Sequence, residues 1–117
     1  MRYITMAALL LLLLRLGIGA AHAHAFLDSA NPRVGSTVAS PPTQVTLRFT
    51  QRLEPKFSKA EVRNAAGVRV DQGVTVSGSE IRVDVKGLSP GTYRVLWHVL
   101  SVDTHTTQGS FSFHVGK

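Results

Sequence analysis

The residues best suited to chemistry sit far apart in the chain. Toward the C-terminus, Trp97-His98-Val99-Leu100-Ser101-Val102-Asp103-Thr104-His105 begins as an apolar strand and ends in an Asp-x-His turn. Side chains of an extended chain alternate with period two, so Asp103 and His105 can point the same way. Together they form a compact O,N pair suited to a divalent transition metal. On spacing alone, such a pair is ordinary turn chemistry facing solvent. The second feature is Ala21-His22-Ala23-His24-Ala25, near the N-terminus. Whether the two belong to one site depends on how the N-terminus is processed.

Arg2 gives a short positive start, Ala7 to Leu14 form an unbroken apolar run, and small residues lead to Ala21-His22-Ala23. This is the pattern of an exported protein's leader with a small-x-small cleavage site, although Arg15 interrupts the hydrophobic region. The run is too short to span a bilayer comfortably. The expectation is a signal peptide over 1–23 and one mature domain over 24–117. Cuts after Ala21 or Ala25 also fit, and the latter would destroy the arrangement considered next.

A cut after Ala23 makes His24 the first residue. Its free amine and its Nδ1 can then close a six-membered chelate ring on a metal with no help from long-range folding. The His105 imidazole adds a third nitrogen, and Asp103 adds an anionic oxygen. Three nitrogens and an oxygen suit Cu(II), which favours tetragonal N,O sites and heads the divalent affinity order. Cu(I) prefers sulfur. The chain has no cysteine, and both methionines, Met1 and Met6, fall in the leader.

The lack of cysteine also excludes a thiolate nucleophile, a Cys-type zinc site and a His/Cys blue-copper site. An exported domain of this size must therefore fold on its hydrophobic core, without disulfides. With 117 residues there is room for one domain. Without Arg2 and Arg15, 11 of the 13 basic residues remain against 7 acidic ones, a net of +4. The bases are scattered and form no run of the kind that binds nucleic acid.

The elements that must carry these residues read as strands. Val45, Leu47 and Phe49 alternate with polar residues, as do Ile81, Val83 and Val85. Tyr93, Val95, Trp97 and Val99 share one face, and a last strand over 109–115 does the same with Phe111, Phe113 and Val115. Further strands are expected over 25–29, around Ala60 and Val62, over 68–70 and over 74–76. Residues 51–58 read as irregular, and turn signals stand at Asn31-Pro32, Pro41-Pro42, Ser77-Gly78 and Ser89-Pro90-Gly91. No helical period is sustained in the mature chain. About seven short strands at roughly ten-residue spacing predict an all-β fold, an immunoglobulin-like antiparallel β-sandwich of Greek-key type. Leu88-Ser89-Pro90-Gly91-Thr92-Tyr93 reads as a tyrosine corner, with the phenol bonding back to the chain.

His24-Ala25-Phe26-Leu27 followed by Ser29-Ala30-Asn31-Pro32 resembles the mature start of the CopC-type periplasmic copper-binding proteins. The Leu88 to Tyr93 corner and the Trp97 to His105 stretch, continuing through Gly109-Ser110-Phe111-Ser112-Phe113, resemble that family's C-terminal half. The resemblance spans nearly all of 24–117. It implies an immunoglobulin-like sandwich that binds Cu(II), one per mature chain, as a periplasmic carrier or buffer in copper homeostasis, uptake or resistance. It assigns the metal to His24, Asp103 and His105. It also implies an inner-membrane copper transporter of the CopD type as a partner.

Two departures from the family pattern stand out. Thr104 occupies a position usually held by glycine, where a positive φ would strain a β-branched residue. The methionine-rich loop that binds Cu(I) in some members is missing. Among the other histidines, His22 belongs to the leader, His98 is expected on the far side of its sheet, and His114 is expected in solvent. Asp28 reads as a strand-end residue with no metal role, and Trp97, Tyr93 and Phe111 read as core. Two other functions fit the same residues: a histidine-chelate copper oxygenase, and an immunoglobulin-like interaction module that binds no metal.

Overall fold

The computed structural model describes residues 25–117. The expected leader and His24 lie outside the described residues. Eight strands follow in order: β1 (Leu27–Asn31), β2 (Thr37–Val38), β3 (Gln44–Phe49), β4 (Lys59–Arg63), β5 (Asp71–Ser77), β6 (Glu80–Val85), β7 (Gly91–Leu100) and β8 (Thr106–Val115). A short 3-10 turn, Pro55–Phe57, lies between β3 and β4. One sheet has the order β1-β3-β6-β5 and the other β2-β8-β7-β4. From β1 to β5 the chain changes sheet at every strand, and β5–β6 and β7–β8 then form hairpins within one sheet each, so the core is assembled from residues distant in sequence.

The alternating residues meet between the sheets. Val45, Leu47 and Phe49 of β3 are buried beside Ile81 and Val83 of β6, with Leu47 opposite Ile81 and Val45 opposite Val83. In the second sheet, Tyr93 lies opposite Phe113 and Val95 opposite Phe111. The Tyr93 and Phe113 rings stack at 5.5 Å and 18°. Fully burying a side chain the size of Leu47 contributes about 1.5–3 kcal/mol, and with no disulfide this core carries the fold. The tyrosine corner forms as expected, with the Tyr93 hydroxyl donating to the Ser89 carbonyl at 2.7 Å.

Several expectations need correction. The sandwich is not wholly antiparallel, because β2 runs parallel to β8, with Thr37 opposite His114 and Val38 opposite Val115. Residues 68–70 make only a bridge, Arg63 to Arg69, and β5 begins at Asp71. Asp71 anchors that start. Its Oδ1 accepts from the Val62 N–H at 3.0 Å, and its Oδ2 pairs with the Arg69 guanidinium at 2.7 Å. Burial is the largest influence on the Asp71 carboxyl and pushes its pKa up. The Arg69 hydrogen bond and charge, with the Val62 N–H, outweigh it and hold the pKa below the usual value.

Trp97 is partly rather than fully buried, packed against the core. Its ring meets Phe49 edge-on at 5.2 Å and crosses Gly109 of the neighbouring strand. A Cβ at Gly109 would stand 2.5 Å from the indole Cζ2, which explains why a glycine sits there. Among the described residues, the Trp97 Nε1 is the buried side-chain polar atom that lacks a hydrogen-bond partner. Strand β8 also begins earlier than expected, at Thr106, while β1 begins later, at Leu27. These two shifts set the surroundings of the site.

Candidate metal centre

The β7–β8 hairpin closes through residues 101–105. Ser101 is fully buried and forms an isolated bridge with Leu53. The backbone folds back tightly, with Thr104 N–H donating to Ser101 O and Ser101 N–H donating to His105 O, both at 2.9 Å. Val102 N–H donates to Arg52 O at 3.0 Å, which pins the turn to the segment after β3. Thr104 has φ = 74°, the left-handed conformation that a glycine at this position adopts freely. A β-branched residue there is strained, at a cost of about 1–2 kcal/mol. Local strain that persists in a well-determined turn often marks a functional position.

The turn presents Asp103 and His105 together. Asp103 Oδ1 lies 3.6 Å from His105 Nδ1, and the two side chains are 37% and 47% exposed. That distance is too long for a hydrogen bond. It still leaves both atoms within reach of a single ion at bond lengths of about 2.0–2.2 Å.

The Ser101 hydroxyl supports both residues. It donates to Asp103 Oδ1 in a very short contact and accepts from the His105 N–H at 3.3 Å. This hydroxyl is the main reason the Asp103 carboxyl sits below the usual carboxylate range. Desolvation opposes it, and the His105 ring adds to it. Asp103 is thus an ionised oxygen donor held in a fixed orientation.

The N-terminal segment is anchored beside this turn. Ala25 is fully buried, and its carbonyl accepts from Thr107 Oγ1 at 2.5 Å. Phe26 N–H donates to Thr50 Oγ1 at 3.0 Å, and Thr50 N–H returns a bond to Phe26 O at 2.9 Å. Thr107 stands two residues after His105, and Ala25 directly follows His24. Among the described residues, no group of three or more His, Cys, Asp or Glu side chains could hold a metal ion. The structure brings Asp103 and His105 together, while His24 and His22 lie outside the described residues.

The remaining histidines stay away from the pair. His98 is on the outer face of β7, opposite Lys59 and Gln108, as expected. His114 faces outward as expected, and its Nδ1 lies 2.9 Å from Thr92 Oγ1 across the strand in a surface contact. Asp28 is exposed within β1. Sequence reasoning missed Ser101, Thr50 and Thr107. A serine next to a strand end carries no visible signal, but a threonine in the inward series of β8 does, because an apolar residue fits that series better.

An immunoglobulin-like sandwich with an Asp-x-His turn beside its first strand defines a narrow class. The CopC domain family matches residues 27–116, and the chain belongs to this family. It is 35% identical over 96 residues to copper resistance protein C of Xanthomonas campestris pv. juglandis, covering 74% of this chain and 75% of that one. The crystal structure of CopC from Methylosinus trichosporium OB3b superposes with a TM-score of 0.75 at 33% identity, covering 80% of this chain and 94% of the other. PcoC, a methionine-rich copper resistance protein from Escherichia coli, superposes with a TM-score of 0.71 at 32% identity, covering 80% and 99%. In contrast to that description, the present chain has two methionines, Met1 and Met6, both outside the described residues.

Proposed function

We propose that the chain is exported, cleaved after Ala23, and binds one Cu(II) through the His24 amine and imidazole, Asp103 and His105. The single observation that carries the reading is the pairing of Asp103 and His105, 3.6 Å apart, on a turn beside the anchored Ala25. The donor set fits the ion. Nitrogen and ionised oxygen donors match a tetragonal Cu(II) site, and the described residues offer no thiolate or thioether. The lowered carboxyl pKa of Asp103 supports this, since a ligand must give up its proton to bind.

The role that follows is a periplasmic carrier or buffer in copper homeostasis or resistance, with a CopD-type membrane transporter as the exchange partner. It is not an enzyme on this reading. Three nitrogens and the Asp103 carboxylate fill four positions around the ion, where an oxygenase keeps one open for its substrate. Cu(II) titration of the exported protein tests the proposal. One tight equivalent is expected, lost when the amine is acetylated and lost in His105→Ala. Full affinity in the acetylated protein would rule the site out.

A further inference from the structure

The peptide unit that joins Ala25 to Phe26 is gripped from both sides. Its carbonyl accepts from the Thr107 hydroxyl, and its N–H donates to the Thr50 hydroxyl. Thr107 belongs to β8 in one sheet, and Thr50 follows β3 in the other. One peptide plane therefore spans the mouth of the sandwich between two threonines. Chain ends ordinarily fray unless tied down. This one is tied by two side chains, by the Thr50 N–H to Phe26 O bond and by the buried Ala25 methyl.

Thr107 is an unusual choice for its place. It pairs with Val99, a fully buried residue, and belongs to the series that continues with the buried Phe111, Phe113 and Val115. Packing alone would favour valine there, which has the same shape and no hydroxyl to satisfy. The hydroxyl is satisfied, and its partner is the carbonyl one residue beyond His24. Because Thr107 also follows His105 by two positions, one hydrogen bond links the two stretches of chain that carry imidazoles.

We propose that Thr107, with Thr50, is a positioning residue that presents the N-terminal histidine to Asp103 and His105 before metal arrives. The inference rests on the Cu(II) reading above. Anchoring the Ala25–Phe26 peptide in the metal-free protein removes part of the entropic cost of binding and slows release. The loss of one such bond weakens binding roughly tenfold.

The test uses exported, purified protein whose first residue is established by intact mass. Thr107→Val removes the donor while keeping the shape, Thr107→Ser keeps the donor, and Thr50→Val breaks the other side of the grip without touching β8. Three quantities are read: Cu(II) affinity by chelator competition, the rate of copper release to excess chelator, and the Cu(II) electron paramagnetic resonance spectrum. Thr107→Val is expected to bind roughly tenfold more weakly through faster release, with altered nitrogen hyperfine structure. Thr107→Ser should restore the wild-type values, and Thr50→Val should move the same way as Thr107→Val.

If both valine variants match wild type in affinity and spectrum, the positioning role is wrong and the Cu(II) site stands. A purely structural effect also overturns it, and would show as a weaker Thr107→Ser that tracks its thermal midpoint with an unchanged spectrum. If wild type keeps its copper after acetylation of the amine, the Cu(II) reading itself fails and takes the positioning role with it.

Discussion

The turn between β4 and β5 and the turn between β7 and β8 each contain a residue in the left-handed region, Gly67 at φ = 80° and Thr104 at φ = 74°. In the first turn Asn64 does the capping. Its Oδ1 accepts from Ala66 N–H and Val68 N–H, both at 3.0 Å, and the strained position is given to glycine, which adopts it without penalty. In the second turn the capping falls to Ser101, whose buried hydroxyl serves both Asp103 and the His105 backbone. The left-handed position there holds a threonine. A turn that only reverses the chain uses its polar side chain on itself and relaxes its backbone. The turn proposed to present metal ligands moves the capping to a buried neighbour, so that the carboxylate and imidazole stand outward, and it tolerates strain.

The sharpest way to break this contrast is to remove an outward-facing proposed ligand. His105→Ala should lower Cu(II) affinity by at least about 100-fold, more than the loss of a supporting residue usually costs. Chelator competition reads that loss, and calorimetry should show the metal-free protein melting as before, since His105 is 47% exposed. Ser101→Ala comes next. It should cost about 10- to 100-fold in copper affinity and, by leaving buried groups unpaired, about 1–3 kcal/mol of metal-free stability. The matching change in the other turn, Asn64→Ala, should cost about 1 kcal/mol by denaturant melting and leave copper binding untouched.

Asp103 supplies a pH test of the same contrast. Its folded pKa is depressed, so its stabilising contribution is present above the unfolded carboxylate pKa, about 3.9, and is lost as pH falls through the lower folded value. In Ser101→Ala the principal cause of the depression is gone, and a carboxyl NMR titration should show Asp103 moving up toward the ordinary range. The backbone positions affect stability alone. Gly67→Thr should destabilise by about 1–2 kcal/mol. Thr104→Gly should shift metal-free stability by less than about 1 kcal/mol, because relief of strain is offset by the greater freedom of glycine in the unfolded chain.

Much of the sandwich was legible because β3, β6, β7 and β8 each bury one face. Val45-Leu47-Phe49 and Phe111-Phe113-Val115 announce their inward faces by alternation, and the corner before Tyr93 announces its hydrogen bond. The parallel pairing of β2 was not legible, since it is two residues long and made by backbone. Likewise, Asp103 and His105 were visible because two metal-competent types stand two residues apart. Ser101 was hidden because its value comes from the turn closing over it. Thr50 was hidden because its partner lies 24 residues away in sequence, and Thr107, a polar residue in an inward series, was visible without its partner 82 residues away. The outward facing of His114 was legible because alternation says which face a residue takes, but not that Thr92 waits across the strand.

On the proposed function, processing completes a copper site for which the fold brings Asp103 and His105 together. Native mass spectrometry of the exported protein, with and without Cu(II), tests it most directly. A chain beginning at His24 that gains one copper per molecule is the predicted result. A chain beginning at Phe26 that binds copper equally well, or one beginning at His24 that binds none, would contradict it.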